Sequence, residues 1–123
     1  MENDLYKSIE DFLDSENLKI CYPTQIAYDI KISSIVKTND NQTIFYFMNP
    51  RVAFEIYHDN CKDLTQFSEA ELINYNDYYF YIFESEDLFY AYAMIKNDFY
   101  VLSCDSKEEL IEMIHSFSFE RLK

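Results

Sequence analysis

The chain has 123 residues with 23 acidic and 10 basic side chains, a formal net charge of −13, 49% hydrophobic and 19% aromatic residues, and no glycine. That length bounds a single domain with a real core, the apolar content excludes a disordered composition, and the acidity opposes nucleic acid and anionic membranes while favouring basic partners. Without glycine there is no P-loop, no GxGxxG turn and no GxSxG elbow, and left-handed turn positions pass to Asn and Asp.

The opening MENDLYKSIEDF lacks a basic region followed by an apolar run, which argues against a secretory signal. Asp4–Ser15 places Leu5, Ile9, Phe12 and Leu13 at helical spacing, with Glu2 and Asp4 at the end the macrodipole favours for carboxylates. LKICY then begins an extended piece that Pro23 interrupts. From Ile26 the pattern alternates, with Ile26, Tyr28, Ile30 and Ile32 on one face, and predicts a strand; QIAYDI also fits a helical turn after Pro23. The turn TNDNQ leads into TIFYFMN, which Pro50 ends. RVAFEIYH sets Val52, Phe54 and Ile56 against Arg51, Glu55 and Tyr57, completing a three-stranded antiparallel meander.

Ser68-Glu-Ala-Glu71 matches a capping box and predicts a short helix to about Asn74. Strands follow at 77–83, 88–96 and 99–104, joined by ESED and by Asn97-Asp98. A second capping box, Ser106-Lys-Glu-Glu109, opens a C-terminal helix with Leu110, Ile111, Ile114 and Phe117 at core spacing. The fold class is α+β, a single mostly antiparallel sheet with N- and C-terminal helices packed against it, in the order α-βββ-(short α)-βββ-α.

The segment YNDYYFYIFESEDLFYAYA (75–93) is the sharpest local feature. The Asn97-Asp98 turn pairs Lys96 with Phe99, Ile95 with Tyr100, Ala93 with Leu102 and Ala91 with Cys104. The ESED turn pairs Phe83 with Leu88, Ile82 with Phe89, Tyr81 with Tyr90 and Tyr79 with Tyr92. One face then holds Tyr78, Phe80, Ile82, Phe89, Ala91, Ala93, Ile95, Leu102 and Cys104, with the two alanines leaving room for the C-terminal helix. The other gathers Tyr79, Tyr81, Tyr90 and Tyr92, flanked by Asp77, Phe83, Met94 and Lys96 and rimmed by Glu84, Glu86 and Asp87. Two arrangements fit this block: an exposed binding patch, or rings packed beneath the first helix.

Catalytic and metal signatures are missing. His58 and His115 have no Cys or His at ligand spacing, and HDNCKD supplies too few oxygen ligands for a calcium loop. Cys21, Cys61 and Cys104 form an odd set at unrelated spacings, which fits a reducing cytoplasm better than a disulfide framework. A Cys–His pair has no local sequence signature, and paired carboxylates carry no information in so acidic a chain. Around the tyrosines the charge has the wrong sign for base stacking. The expectation is therefore no enzyme activity, cofactor, metal or direct nucleic-acid contact.

In size, acidity and absence of a catalytic signature the chain resembles the immunity proteins of bacterial toxin systems, a likeness of kind that assigns no site residues. It implies a stoichiometric inhibitor of a basic partner such as a nuclease toxin or a nucleic-acid-binding effector, with tyrosine anchors and carboxylates that steer encounter. An anti-defence protein of phage origin, such as an anti-CRISPR acting by DNA mimicry, uses the same physics. A small ligand-binding or enzymatic domain, using a pocket between sheet and helix, is the third reading, which a deep pocket lined by His58 or a cysteine would favour.

Overall fold

A computed structural model describes residues 4–122, with side chains described from Ile9 onward. The positions of Glu2 and of the Leu5 side chain lie outside the described residues. The elements in chain order are α1 (Asp4–Glu16), β1 (Tyr22–Pro23), a 3-10 turn at Ala27–Asp29, β2 (Ile32–Lys37), β3 (Gln42–Phe47) and β4 (Ala53–Tyr57). A second 3-10 turn (Leu64–Gln66) precedes β5 (Glu71–Tyr75), β6 (Tyr78–Ser85), β7 (Leu88–Ile95) and β8 (Asp98–Cys104). Then come α2 (Lys107–His115), β9 (Phe117–Ser118) and a last 3-10 turn (Glu120–Leu122).

The architecture is α+β, as the pattern predicts. Seven strands form one antiparallel sheet in the order β2-β3-β4-β8-β7-β6-β5, and β1 pairs separately with β9. Two meanders thus meet along β4 and β8, where Phe54 faces Leu102 and Ile56 faces Tyr100.

Both helices lie on the same side of this sheet. Ile9 and Leu13 of α1 and Leu110, Met113 and Ile114 of α2 join one core with Phe45, Phe54, Ile56, Phe80, Ile82, Tyr100 and Leu102. Ala91 and Ala93 are fully buried, and α2 packs on β7 and β8 where these small side chains permit close approach. Arg121 ties the C-terminal turn to α1, donating to Glu10 at 3.1 Å and Asp14 at 2.8 Å.

The glycine-free chain solves its turns largely with Asn and Asp. Asn17 has φ of 55° just past α1, while Leu18 N–H donates to Leu13 and Asn17 N–H to Asp14, a Schellman end with Asn in place of glycine. Seven of the ten described residues with positive φ are Asn or Asp; the others are Tyr28, Glu86 and Lys96.

Four expectations need correction. Phe117 is a core residue but not part of the C-terminal helix, which ends at His115; it opens β9 and pairs with Pro23 of β1. Ser68–Asn74 is not a helix, because Glu71–Tyr75 forms strand β5 on β6. Ladder hydrogen bonds and burial of Ile73 and Tyr75 against the core outweigh a short capping signal. The helical turn sits four residues earlier, at Leu64–Gln66, where the Asp63 carboxylate accepts from Thr65 N–H at 3.1 Å. Ile26–Ile30 is not strand either. Tyr28 takes φ of 58° because α2 holds it: its N–H donates to Glu109 at 2.7 Å and its hydroxyl to Asp105 at 2.7 Å. Lastly, both hairpin registers differ by two residues from expectation. The β6–β7 turn is Glu86-Asp87 alone, pairing Tyr81 with Tyr92 and Phe83 with Tyr90. The β7–β8 turn is Lys96-Asn97, since Asp98 opens β8 and its carboxylate accepts from Asp59 N–H at 2.9 Å. A shift of two preserves side-chain parity, so the division of residues between faces survives.

Candidate functional site

The sheet has a second face that neither helix covers. By alternation it carries Tyr79, Tyr81 and Phe83 of β6, Tyr90, Tyr92 and Met94 of β7, and Phe99, Val101 and Ser103 of β8. It continues through Tyr57 of β4 and Ile44 and Tyr46 of β3 to Val36 of β2. In its middle, Glu55 accepts from Gln42 Nε2 at 2.8 Å.

The cover over this face is a loop. The segment between β4 and β5 lays Leu64, Phe67 and Lys62 across the strands. Leu64 is 5% and Phe99 8% exposed, and both lie outside the helix-side core. Phe67 stacks on Phe83 at 5.7 Å between ring centroids and meets Tyr92 edge-on at 5.5 Å. Phe83 in turn stacks on Tyr90 at 5.5 Å and meets the Tyr92 edge at 4.8 Å. Tyr92 reaches Phe99 at 5.0 Å, with Lys62 Nζ 5.8 Å from the Phe99 ring centre. These near-parallel and edge-on contacts are the favourable geometries for aromatic pairs. Burial raises the phenol pKa of Tyr92 and of Tyr57, and nearby negative charge adds to it.

The four tyrosines therefore share a face without sharing an environment. Tyr92 belongs to the Phe67–Phe83–Phe99 cluster, Tyr81 and Tyr90 are half-buried beside it, and Tyr79 is 52% exposed. Tyr79, Tyr81, Met94 and Leu64 line an open cleft of about 300 Å³, with Asp63, Asp77 and Lys62 also on its walls. The Thr65 hydroxyl and N–H hold the Asp63 carboxyl below its ordinary range.

The acidic rim divides differently from expectation. Glu86 and Asp87 form the exposed turn at the end of the face, with φ of 50° and 66°. Glu84 is exposed but pairs with Phe89, which places it in the register of the helix-covered side. Asp87 gives its carbonyl to Arg51 Nη2 at 3.2 Å.

Sequence reasoning missed Phe67, Phe99, Tyr46, Val36 and Leu72 as parts of this face. For Tyr46 the signal was present, because TIFYF alternates Ile44 and Tyr46 against Phe45 and Phe47. For Phe67 no period exists to find it.

His58 sits elsewhere. Its Nε2 lies 2.7 Å from the Thr43 hydroxyl and its Nδ1 3.4 Å from Asp98, which links β3, the end of β4 and β8. Thr43 is fully buried, whereas the side chains of His58 and Asp98 keep 10% and 20% of their surface exposed. An open cleft of about 270 Å³ beside it is lined by Lys19, Lys37, Asn41, His58, Asp59 and Asp98. His115 is exposed, its ring 5.4 Å from that of Tyr75. Cys21 and Cys104 are buried and Cys61 is exposed, all three as free thiols; burial pushes the Cys21 thiol up to about 12. Among the described residues no helix is long and apolar enough to cross a membrane.

Compared with protein-family models, with curated proteins and with solved structures, the chain matches none.

Proposed function

We propose that this chain is a small acidic inhibitor that binds a basic protein partner, such as a nuclease toxin or a nucleic-acid-binding effector, through the open face of its sheet. The observation that carries the reading is that both helices pack on one side, leaving an aromatic surface on the other. Val36, Tyr46, Leu72 and Tyr79, between 39% and 53% exposed, lie on this surface. Val36 and Tyr46 lie toward the β2 edge and Leu72 and Tyr79 toward the β5 edge, on either side of the Phe67 island. Exposed apolar ground of this kind marks contact sites on soluble chains, and tyrosine supplies large contact area at low entropic cost. The net charge of −13 and the exposed Glu86-Asp87 turn supply long-range attraction for a basic partner. An aromatic lining, rather than rows of carboxylates, favours a contact patch over mimicry of a nucleic-acid backbone.

The test is the double substitution Tyr81→Ala with Tyr90→Ala, measured by calorimetry against the partner captured from the native host. Binding is expected to weaken by roughly 2–4 kcal/mol, the scale of interface hot spots, while circular dichroism and melting show a folded chain. Full affinity in a folded double variant would sink the reading.

A further inference from the structure

The seven-stranded sheet ends at β2 on one side and β5 on the other, and the two edges are built differently. The register of β2 is broken between Ile32 and Ser34, and Lys31 and Lys37 bracket the strand. Irregularity and lysine are the devices that blunt an edge against pairing. By contrast, β5 (Glu71-Leu-Ile-Asn-Tyr) keeps an unbroken register with β6 and contains no lysine, proline or bulge.

The turn fixes which of its backbone groups are free. Asn76 and Asp77 both have positive φ and form a two-residue turn, so Tyr75–Tyr78 closes the ladder as a hydrogen-bonded pair. Alternation makes Ile73–Phe80 and Glu71–Ile82 the next bonded pairs. Leu72 and Asn74 therefore aim their N–H and C=O groups away from β6, off the edge of the sheet. Among the described residues, no backbone hydrogen bond outside the ladders engages either one. The same two residues stand opposite Tyr81 and Tyr79, so their side chains extend the open face. Leu72 is 53% exposed.

We propose that β5 is a strand-addition site, which takes an extended basic segment of the protein partner hydrogen-bonded to Leu72 and Asn74. This deepens the protein-binding reading above and rests on it. Main-chain bonds at an edge give affinity, and alternate side chains give selectivity. Charge selects the occupant. Exposed Glu69, Glu71 and Asp77 flank or begin the strand, and among the described residues only Glu71 of the three has a basic partner, Lys107 at 2.5 Å. A second copy of the chain would bring these acids together, along with a net charge of −13 on each molecule. A strand bearing Lys or Arg meets them with opposite sign, and its open-face side chains lie beside Leu72 and Asn74, extending the face that Tyr79 and Tyr81 begin.

The test uses the full chain, ¹⁵N-labelled, and a capped eight-residue peptide of alternating Arg and Val, with a Glu/Val peptide as its counterpart. On adding the Arg/Val peptide, amide exchange at Leu72 and Asn74 is expected to slow about tenfold or more, while Ile73 and Tyr75 hold their rates; the Glu/Val peptide produces no slowing. Asn74→Pro removes an outward donor without touching a bond to β6, and is expected to lower affinity about tenfold; Asn74→Ala retains it. No slowing at Leu72 and Asn74, slowing at β2 instead, or concentration-dependent protection without peptide (a second copy on the edge) would each overturn the proposal. Should Asn74→Pro fail to fold, the exchange pattern of the unsubstituted chain decides. With the native partner, the two readings separate. Loss of affinity in Tyr81→Ala/Tyr90→Ala but not in Asn74→Pro removes the edge site alone, and the reverse removes the face alone.

Discussion

Along β7 and β8, Ala91, Ala93, Tyr100 and Leu102 on the helix side are fully buried, whereas Tyr90, Tyr92, Met94 and Val101 on the other side are half-buried. The two faces share strands, backbone and a taste for aromatics. They differ in their cover. Two amphipathic helices close one side, and a loop anchored by Leu64 and Phe67 crosses the other. A helix brings a continuous apolar stripe to a sheet, but a loop brings only single side chains. The helix side consequently builds one dense core, and the open side builds an island around Phe67, Phe83, Tyr92 and Phe99 with exposed apolar ground on either side.

The difference can be broken by truncating one ring on each face. Phe54 is fully buried and contacts the rings of Phe45, Tyr100 and Phe117. Phe54→Ala is expected to cost about 3–5 kcal/mol in denaturant unfolding, the range for a large ring lost from a packed core. Phe67→Ala loses two ring contacts in a half-buried site and is expected to cost roughly 1–2 kcal/mol. Its sharper signature is local: amide exchange in 60–70 should quicken while the helix-side strands keep their protection. Equal losses for the two substitutions would mean that the loop is as integral to the fold as the helices are.

The smallest expected effect is pH-dependent. Asp63 caps the turn that carries the loop, and its bonds to the Thr65 hydroxyl and N–H hold its pKa below the ordinary 3.8. A depressed folded pKa means that the stabilisation is present above that ordinary value and is lost as pH falls through the folded one. The stability gap between the parent chain and Asp63→Ala should therefore be constant from pH 7 to about 5 and shrink below about 4. A gap that is independent of pH down to 3 would assign the capping to geometry rather than to charge. Asp105, held down by the Tyr28 hydroxyl and by Arg51, ties Ala27–Asp29 to the start of α2 and should lose its contribution in the same window.

Much of this was legible in the sequence. Leu110 and Ile114 recur at helical spacing, Val52, Phe54 and Ile56 alternate, and Ser106 caps α2 by accepting from Glu109 N–H at 3.3 Å. Even the face assignment of 78–104 survives a register error of two in both hairpins, because parity depends on the period of the strand and not on the turn. What failed did so where short-range signals compete with distant partners. Ser68–Glu71 reads as a cap until β6 offers a ladder to Glu71–Tyr75, and Ile26–Ile30 reads as a strand until Glu109 and Asp105 capture Tyr28. By itself, then, the sequence determined the long periodic elements, their apolar faces and the use of Asn and Asp for glycine, since all of these follow from periodicity and backbone sterics. Only the tertiary structure decided that both helices choose the same face, that Phe67 reaches over the tyrosines, and that β5 ends the sheet with its outer edge open. Those outcomes depend on contacts between residues far apart in the chain, which no local pattern encodes.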